Sequence, residues 1–262
     1  MHIAITEYTE LREIIDQFQK GIFEILILEG KPGTGKSQIV KQAFHHLSKD
    51  HYCWLEGRTS APAFYELLYT YMDCPIVLDD ADSFLSDKQC LNLLKTLCQT
   101  DHDKRVQWLT LRKLPEGMPT QFDTSSTVIL ITNQWKKLSL HLNAVQDRGM
   151  LVEFNPSVEA VHSYARQFCS LEVWQFFDLF VHVLKDLSLR QYVIAQRMHD
   201  HGLEWRRPVL HSWKLDPIQQ LYLELEISYP ELTEGDRKRK FLDITGKNHK
   251  TYDRVKRQLM EK

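Results

Sequence analysis

The sequence predicts an α/β protein: a five-stranded parallel sheet with helices on both faces, then an all-helical unit and a small basic helical appendage. Three observations carry this reading. Short apolar runs alternate with segments of helical period as far as Pro156. Beyond Pro156 the apolar runs stop and helical patterns succeed one another. Between one apolar run and the helical pattern after it lies a glycine-rich segment, residues 30–37. The composition agrees: 262 residues, 43% hydrophobic and 26% charged with 10 Gly and 9 Pro, describe a folded chain and exclude disordered or collagen-like classes.

In chain order, Tyr8 to Lys20 has a helical pattern, and Phe23 to Gly30 (FEILILEG) has the length and branched content of a buried strand. The alternation continues through HYCWLEG, a helix over Ala61 to Met72, PIVLDD, a helix over Ser86 to Gln99, TVILIT and MLVEFNP. Strands interleaved with helices require crossover connections, hence a parallel sheet. Between Thr100 and Thr127 the chain is polar and turn-rich, and the alternating RVQWLTL suits one arm of a hairpin. Helical patterns follow over Val158 to Phe168, Val173 to Lys185, Leu189 to His201 and Pro217 to Ile227. The expected organisation is a core over 1–156, a helical lid over 157–228 and the appendage over 229–262.

The five cysteines, Cys53, Cys74, Cys90, Cys98 and Cys169, are odd in number and widely spaced without a CxxC pair, so they read as reduced thiols. No secretory leader and no apolar run of roughly 18 residues is evident, which predicts a soluble, cytoplasmic protein without membrane contact. The net charge of −2 is unevenly spread. From Asp236 to Lys262 ten Lys/Arg face four Asp/Glu, leaving −8 on the rest of the chain. A boundary near residues 228–236 is expected from that shift.

Gly30-Lys31-Pro32-Gly33-Thr34-Gly35-Lys36-Ser37 matches GxxxxGK[ST] in full and sits between a strand and a helix, the setting in which this motif cradles phosphates. Glycines let the backbone close around the anion, and the amides of the helix N-terminus point at it. Lys36 can neutralise β- and γ-phosphate oxygens, and the Ser37 hydroxyl can ligate Mg²⁺. The strand PIVLDD delivers Asp79 and Asp80 at its carboxyl end, where ligands of open α/β sheets bind. Asp79 is the metal-holding candidate and Asp80 the candidate for orienting the attacking water. Asp82 reads as a charge at a helix N-terminus.

With these motifs the chain resembles the AAA+ ATPases, a division of the P-loop NTPases, over about residues 1–226, and in plan the compact stand-alone members of phages and mobile elements and the helicase or clamp loaders. The resemblance implies ATP and Mg²⁺ as ligands, bound between core and lid. It implies sensor 1 at Asn133, which ends TVILITN; an arginine acting on a neighbouring subunit's nucleotide at Arg148; and a lid arginine at Arg190, with Arg206 and Arg207 as competitors. It implies self-assembly and an oligomeric ATPase that loads or remodels proteins in a DNA transaction. The alternatives are a protein-remodelling chaperone with a polypeptide client and no nucleic-acid contact, or a slow nucleotide switch. Two features depart from the family. Asp-Asp stands where Asp-Glu is usual, shortening the water-activating carboxylate by one methylene. About 20 residues precede the first strand, so no recruiting domain of the unfoldase kind is expected there.

Two segments are candidates for partner contact. The tail, DRKRKFLDIT-GKN-HKTYDRVKRQLMEK, outlines a helix-turn-helix with Gly246 in its turn, whose second helix would offer His249, Lys250, Tyr252, Arg254 and Arg257 to DNA; packing on the lid or on the next subunit is the alternative. Lys104, Arg105, Arg112 and Lys113 surround Trp108 and suit either a DNA-touching hairpin or a peripheral hairpin packed over that indole. The pairs His45/His46 and His199/His201 lack a matching ligand set and read as surface residues.

Overall fold

The computed structural model describes residues 1–82, 84–85, 87–99, 104–108, 115–135 and 143–260. The chain forms two compact units, Met1–Asn155 and Pro156–Lys262.

The first unit is built on a parallel sheet of six strands in the order β1-β8-β2-β7-β4-β3: His2–Ile5 (β1), Ile25–Glu29 (β2), Cys53–Glu56 (β3), Ile76–Asp79 (β4), Val128–Thr132 (β7) and Met150–Phe154 (β8). Five strands were expected and six are present. The additional strand, β1, pairs in parallel with β8 from His2↔Leu151 to Ile5↔Phe154. Its apolar stretch, Ile3-Ala4-Ile5, is only three residues long, too short to signal a strand by itself; it lies at the sheet edge with three of its four residues exposed, and pairing with β8 fixes it.

β2, β4 and β7 are buried along their whole length. Ile25 and Ile27, Ile76 and Leu78, and Val128 and Leu130 turn to one face and share a core with two helices, Ala61–Thr70 (α3) and Lys88–Leu97 (α4). The alternate residues Leu26, Leu28, Val77, Ile129 and Ile131 are equally buried, so both faces of the sheet are covered. Helix α1 (Tyr8–Gln19) packs against α2 (Lys36–Phe44). Its start is held by the Glu10 carboxylate, which accepts the Glu7 N–H at 3.0 Å. α4 starts later than the sequence indicated because Asp87 is its cap, accepting from the Gln89 and Cys90 amides at 2.8 and 3.0 Å. A short helix, Asn143–Gln146 (α5), leads into β8.

The expected hairpin exists as β5 (Lys104–Gln107) and β6 (Gln121–Thr124), paired antiparallel. It corrects one expectation. Lys104 is fully buried: its ammonium lies 2.7 Å from the Glu24 carboxylate and donates to the Ser126 carbonyl at 2.8 Å. Val106 and Phe122 enter the core, and Trp108 packs 6.0 Å from the Tyr65 ring. Lys104 cannot touch a partner, and Arg105 is matched by Asp123 across the hairpin at 2.9 Å. Arg112 and Lys113 lie outside the described residues.

The second unit holds seven helices among its described residues: Val158–Ala165 (α6), Leu171–Asp178 (α7), Leu189–Asp200 (α8), Arg206–Ser212 (α9), Pro217–Ser228 (α10), Glu234–Thr245 (α11) and His249–Met260 (α12). Ser157, Ser170, Ser188, Asp216 and Thr233 each accept a first-turn amide, so five starts are written as single polar residues before helical patterns. The pattern read as a helix to Lys185 ends at Asp178 and continues as a 3₁₀ turn, Val181–Val183. α9 was not expected from the helical patterns; Pro208 falls within its first turn, where the missing N–H has no partner to lose. Phe176, Phe177, Phe180, Tyr192, Trp205 and Trp213 form an aromatic core. Beside it the buried His162 ring lies against Tyr192 Oη at 2.7 Å and Asp178 Oδ1 at 3.2 Å and stacks on Trp174. α11 and α12 pack against α10 within this unit through Tyr222, Phe241 and Tyr252. Among the described residues no helix is long and apolar enough to cross a membrane.

The buried Lys104 charge makes Glu24 a structural requirement. Glu24→Ala strands an ammonium on one carbonyl and is expected to lower stability by about 3 kcal/mol, whereas Lys104→Met leaves a part-exposed carboxylate and loses less. Urea denaturation of both variants checks this, and equal midpoints for Glu24→Ala and wild type would refute it.

Candidate functional site

Three neighbouring strands, β2, β7 and β4, present their carboxyl ends side by side, and most of the predicted site residues lie there. β2 runs into the glycine-rich loop. The Gly30 N–H still donates to the Thr132 carbonyl at 3.3 Å, which keeps it in the sheet. A Cβ at Gly30 would lie 2.3 Å from the Phe154 carbonyl oxygen, so no larger residue fits. Gly33 and Gly35 have φ of 80° and 90°, the left-handed region in which glycine is unstrained, and they turn the chain into α2.

The loop is anchored from two sides. The Thr34 hydroxyl donates to the Lys31 carbonyl at 2.9 Å. The Thr34 carbonyl accepts from Tyr8 Oη, also at 2.9 Å, and the Tyr8 ring sits edge-on to Phe154 at 5.1 Å. Tyr8 was not foreseen: in the sequence it is merely the first residue of a helix, 26 positions from its partner.

Lys36, at the head of α2, is buried. Its ammonium donates to the Gly30 carbonyl (2.7 Å), the Lys31 carbonyl (2.9 Å) and Asn133 Oδ1 (3.1 Å). The predicted phosphate lysine and the predicted polar residue at the end of β7 are therefore in contact. The Ser37 hydroxyl donates to Asp79 Oδ1 at 2.7 Å, joining α2 to the end of β4. The same Asp79 oxygen accepts the Asp80 N–H at 3.1 Å. This hydroxyl–carboxylate pair is a set of hard oxygen donors of the kind Mg²⁺ takes.

Asp80 is exposed and has φ of 55°, a left-handed conformation that few residues other than Gly, Asn and Asp adopt readily. Asp82 is not at a helix N-terminus, since α4 begins at Lys88 with Asp87 as cap. Its carboxylate instead accepts from the Thr132 hydroxyl, and the Ala81 N–H donates to the Ile131 carbonyl at 3.0 Å. The acidic turn is thereby tied to the β7 end that carries Asn133. No local signal announces this pair, which is 50 residues apart.

Arg148 is exposed and precedes β8 at the amino end of the sheet, where Met150 pairs with Leu26. The length of β2 separates it from the loop, roughly 15 Å of strand, so it does not join its own chain's site. The buried Cys98 thiol lies near enough to feel its charge: burial pushes that thiol up to about 12, while Lys104 and Arg148 pull it down. Arg190 is exposed in the first turn of α8, Arg206 is engaged with Glu172 at 2.5 Å and lies over Trp205, and Arg207 is exposed in α9. These three belong to the second unit. His45, His46 and His201 are exposed, and His199 pairs with Glu172 at 3.1 Å. Among the described residues no cluster of three or more His, Cys, Asp or Glu could hold a metal ion.

No protein-family model matches the sequence. An uncharacterized 36.7 kDa protein from the nrdC-mobD intergenic region of Enterobacteria phage T4 is 28% identical over 148 residues, which cover 51% of this chain and 45% of that protein. This chain thus spans less than half the length of that relative. Among solved structures, NtrX from Brucella abortus in complex with ADP aligns with a TM-score of 0.51 at 12% identity, covering 96% of this chain and 68% of that one. NtrX in complex with ATP aligns at 0.45 with 13% identity, over 97% of this chain and 69% of that one. At 12% identity the first likeness is one of fold alone.

Gly30→Ala tests the loop's close approach to Phe154. The added methyl group must displace the β8 carbonyl or the loop, so affinity for ATP, the ligand expected from the sequence, should fall at least tenfold by isothermal titration. Gly117→Ala, where a Cβ meets nothing within 4 Å, should leave affinity unchanged. Equal affinity in both variants would show that the contact is unimportant.

Proposed function

We propose that the chain binds ATP with Mg²⁺ on the Gly30–Ser37 loop and hydrolyses it as an oligomeric ATPase that loads or remodels proteins in a DNA transaction. One observation carries the ATPase reading. The Lys36 ammonium, the Ser37 hydroxyl, the Asp79 carboxylate and the Asn133 amide converge from three adjacent strand ends in mutual hydrogen bonds.

In this reading the loop amides and the N-terminus of α2 hold the phosphates. Lys36 exchanges its Gly30 and Lys31 carbonyls for phosphate oxygens, and Asn133, already in contact with it, orients the terminal phosphate and the attacking water. Ser37 and Asp79 fit Mg²⁺, which when bound neutralises charge on the β- and γ-phosphates. Asp80 accepts the water's hydrogen bond from the edge of the site. Arg148 lies exposed at the opposite end of the sheet from its own loop, so its natural target is a second copy's nucleotide, and turnover then depends on assembly.

The test is ATP hydrolysis measured against protein concentration, with and without single- and double-stranded DNA. Specific activity should rise with concentration and with DNA. It should vanish in Lys36→Ala and fall by roughly 10³ or more in Arg148→Ala while light scattering shows assembly retained. Concentration-independent activity that survives Arg148→Ala would overturn the trans-arginine assignment. Assembly-dependent activity blind to DNA would replace the DNA role by a protein client.

Asp80 favours a second reading, a nucleotide switch with slow hydrolysis, because its carboxylate is short and exposed on a left-handed backbone. Asp80→Glu extends the carboxylate by one methylene and should raise turnover severalfold at unchanged ATP affinity. Rapid wild-type turnover with no gain in the variant would sink this reading.

A further inference from the structure

The tail's positive charge is not spread evenly over the three-helix assembly of α10, α11 and α12. Most of the cations on its inner and lateral surfaces are matched. Arg237 lies 3.2 Å from Glu226 and donates to the carbonyls of Tyr229 and Leu232. Lys238 meets Asp253 at 2.6 Å and Lys256 meets Glu234 at 2.5 Å, two cross-ties between α11 and α12. Lys240 covers the Tyr229 ring, its ammonium 3.4 Å from the centroid.

The outer face of α12 differs. Tyr252, Val255 and Leu259 are its buried stripe. At 100° per residue, Lys250, Arg254 and Arg257 lie diametrically opposite that stripe, and all three are exposed. Among the described residues none of the three has a carboxylate within salt-bridge distance. Asp253, on the helix flank, is committed to Lys238. Lys247 extends the row into the turn, where Gly246, at φ of 62°, reverses the chain and exposes the head of α12. Asn248 caps that head by accepting the Thr251 N–H at 3.1 Å. The three cations span about 10 Å along the helix, comparable with the spacing of phosphates along and across a duplex groove.

We infer that the Lys250–Arg254–Arg257 face of α12 is a docking surface for the phosphate backbone of double-stranded DNA. This deepens the DNA side of the proposed function and rests on it. The occupant follows from charge and from what the helix has already spent. An acidic lipid surface is gripped by amphipathic helices through an apolar face sunk below the headgroups, and the apolar face of α12 is buried in its own unit. What remains outside is a row of three cations against a single neighbouring carboxylate, Asp253, which Lys238 already engages; the net positive row complements a linear polyanion. The contact positions the protein on the duplex and carries no sequence preference of its own.

The experiment uses the full chain and a fluorescein-labelled 24-base-pair duplex of arbitrary sequence, with anisotropy measured from 50 to 250 mM salt. The triple variant Lys250→Ala/Arg254→Ala/Arg257→Ala should weaken binding at least tenfold at the lowest salt. Each lost phosphate contact should reduce the slope of log affinity against log salt by about 0.9. Lys20→Ala/Lys185→Ala/Lys214→Ala, which removes the same charge from exposed positions elsewhere, should change binding less than twofold. Arg254→Lys/Arg257→Lys should retain most of the affinity. Equal losses in the two triple variants, or an unchanged slope, would overturn the inference, as would binding to phosphatidylserine vesicles but not to the duplex. ATP affinity and basal hydrolysis without DNA are read on the same samples. If both persist while DNA binding fails in wild type, the docking surface is refuted and the nucleotide reading stands.

Discussion

A buried ammonium cannot be left without acceptors, and Lys36 has one backbone arrangement that supplies them. Two of its partners are carbonyls of its own loop, at Gly30 and Lys31, which turn toward it because Gly33 and Gly35 reverse the chain. The third, Asn133, is 97 residues away and arrives only because β7 lies directly beside β2 in the sheet. Strand order, the left-handed glycines and the missing side chain at Gly30 are thus all constrained by one charge. The loop approaches β8 so closely that a single methyl group would meet the Phe154 carbonyl, and the neighbouring ring of Tyr8 closes the same corner.

The same logic distributes charge over the rest of the chain. Lys104 sits at the opposite end of the sheet from Lys36, yet it too is buried and held by a carboxylate and a carbonyl. One buried lysine fastens a hairpin to the sheet, and the other stands where an anion can replace its carbonyls. The difference lies in what the partners can release. Glu24 is an opposite charge that stays in place, whereas the Gly30 and Lys31 carbonyls are neutral dipoles that a phosphate oxygen outcompetes. In the second unit most tail cations are matched within the helical assembly, and the outer row of α12 is left to solvent.

What could be read from sequence follows from how local each signal is. The glycine-rich turn between β2 and α2 and the place of Asp79 at the end of β4 were legible because eight consecutive residues, or one run of apolar residues ending in carboxylates, state the whole pattern. The helix starts after Ser157, Ser188 and Asp216 follow the same rule, since cap and amide lie two or three residues apart, whereas those after Ser170 and Thr233 begin two residues before the patterns read from the sequence. Features that depend on distant partners were not legible. β1 exists through pairing with β8, and its own apolar stretch, Ile3-Ala4-Ile5, is too short to announce a strand. Lys104 reads as a surface cation until Glu24, 80 residues earlier, is brought beside it. Asp82 reads as a helix-start charge, although its partner is Thr132.

That last pair changes how the acidic turn works. Ala81 donates to Ile131, Asp82 accepts from Thr132, and Asp79 accepts from both Ser37 and the Asp80 amide. The turn carrying Asp80 is therefore held to the ends of β7 and α2 at three points and closed on itself by a fourth hydrogen bond. Such bracing lets Asp80 keep a backbone conformation that would relax in a free loop. It also couples Asp80 to Asn133 through a single intervening residue pair, since Thr132 precedes Asn133 directly. On the proposed reading, the carboxylate that meets the water and the amide that meets the terminal phosphate are not independent groups. A movement of one end of β7, as Lys36 shifts from carbonyl to phosphate, is felt at the acidic turn through the Asp82–Thr132 contact. On that reading, the link between nucleotide state and the water-facing carboxylate runs through Thr132 and Asp82, which lie outside the recognisable motifs.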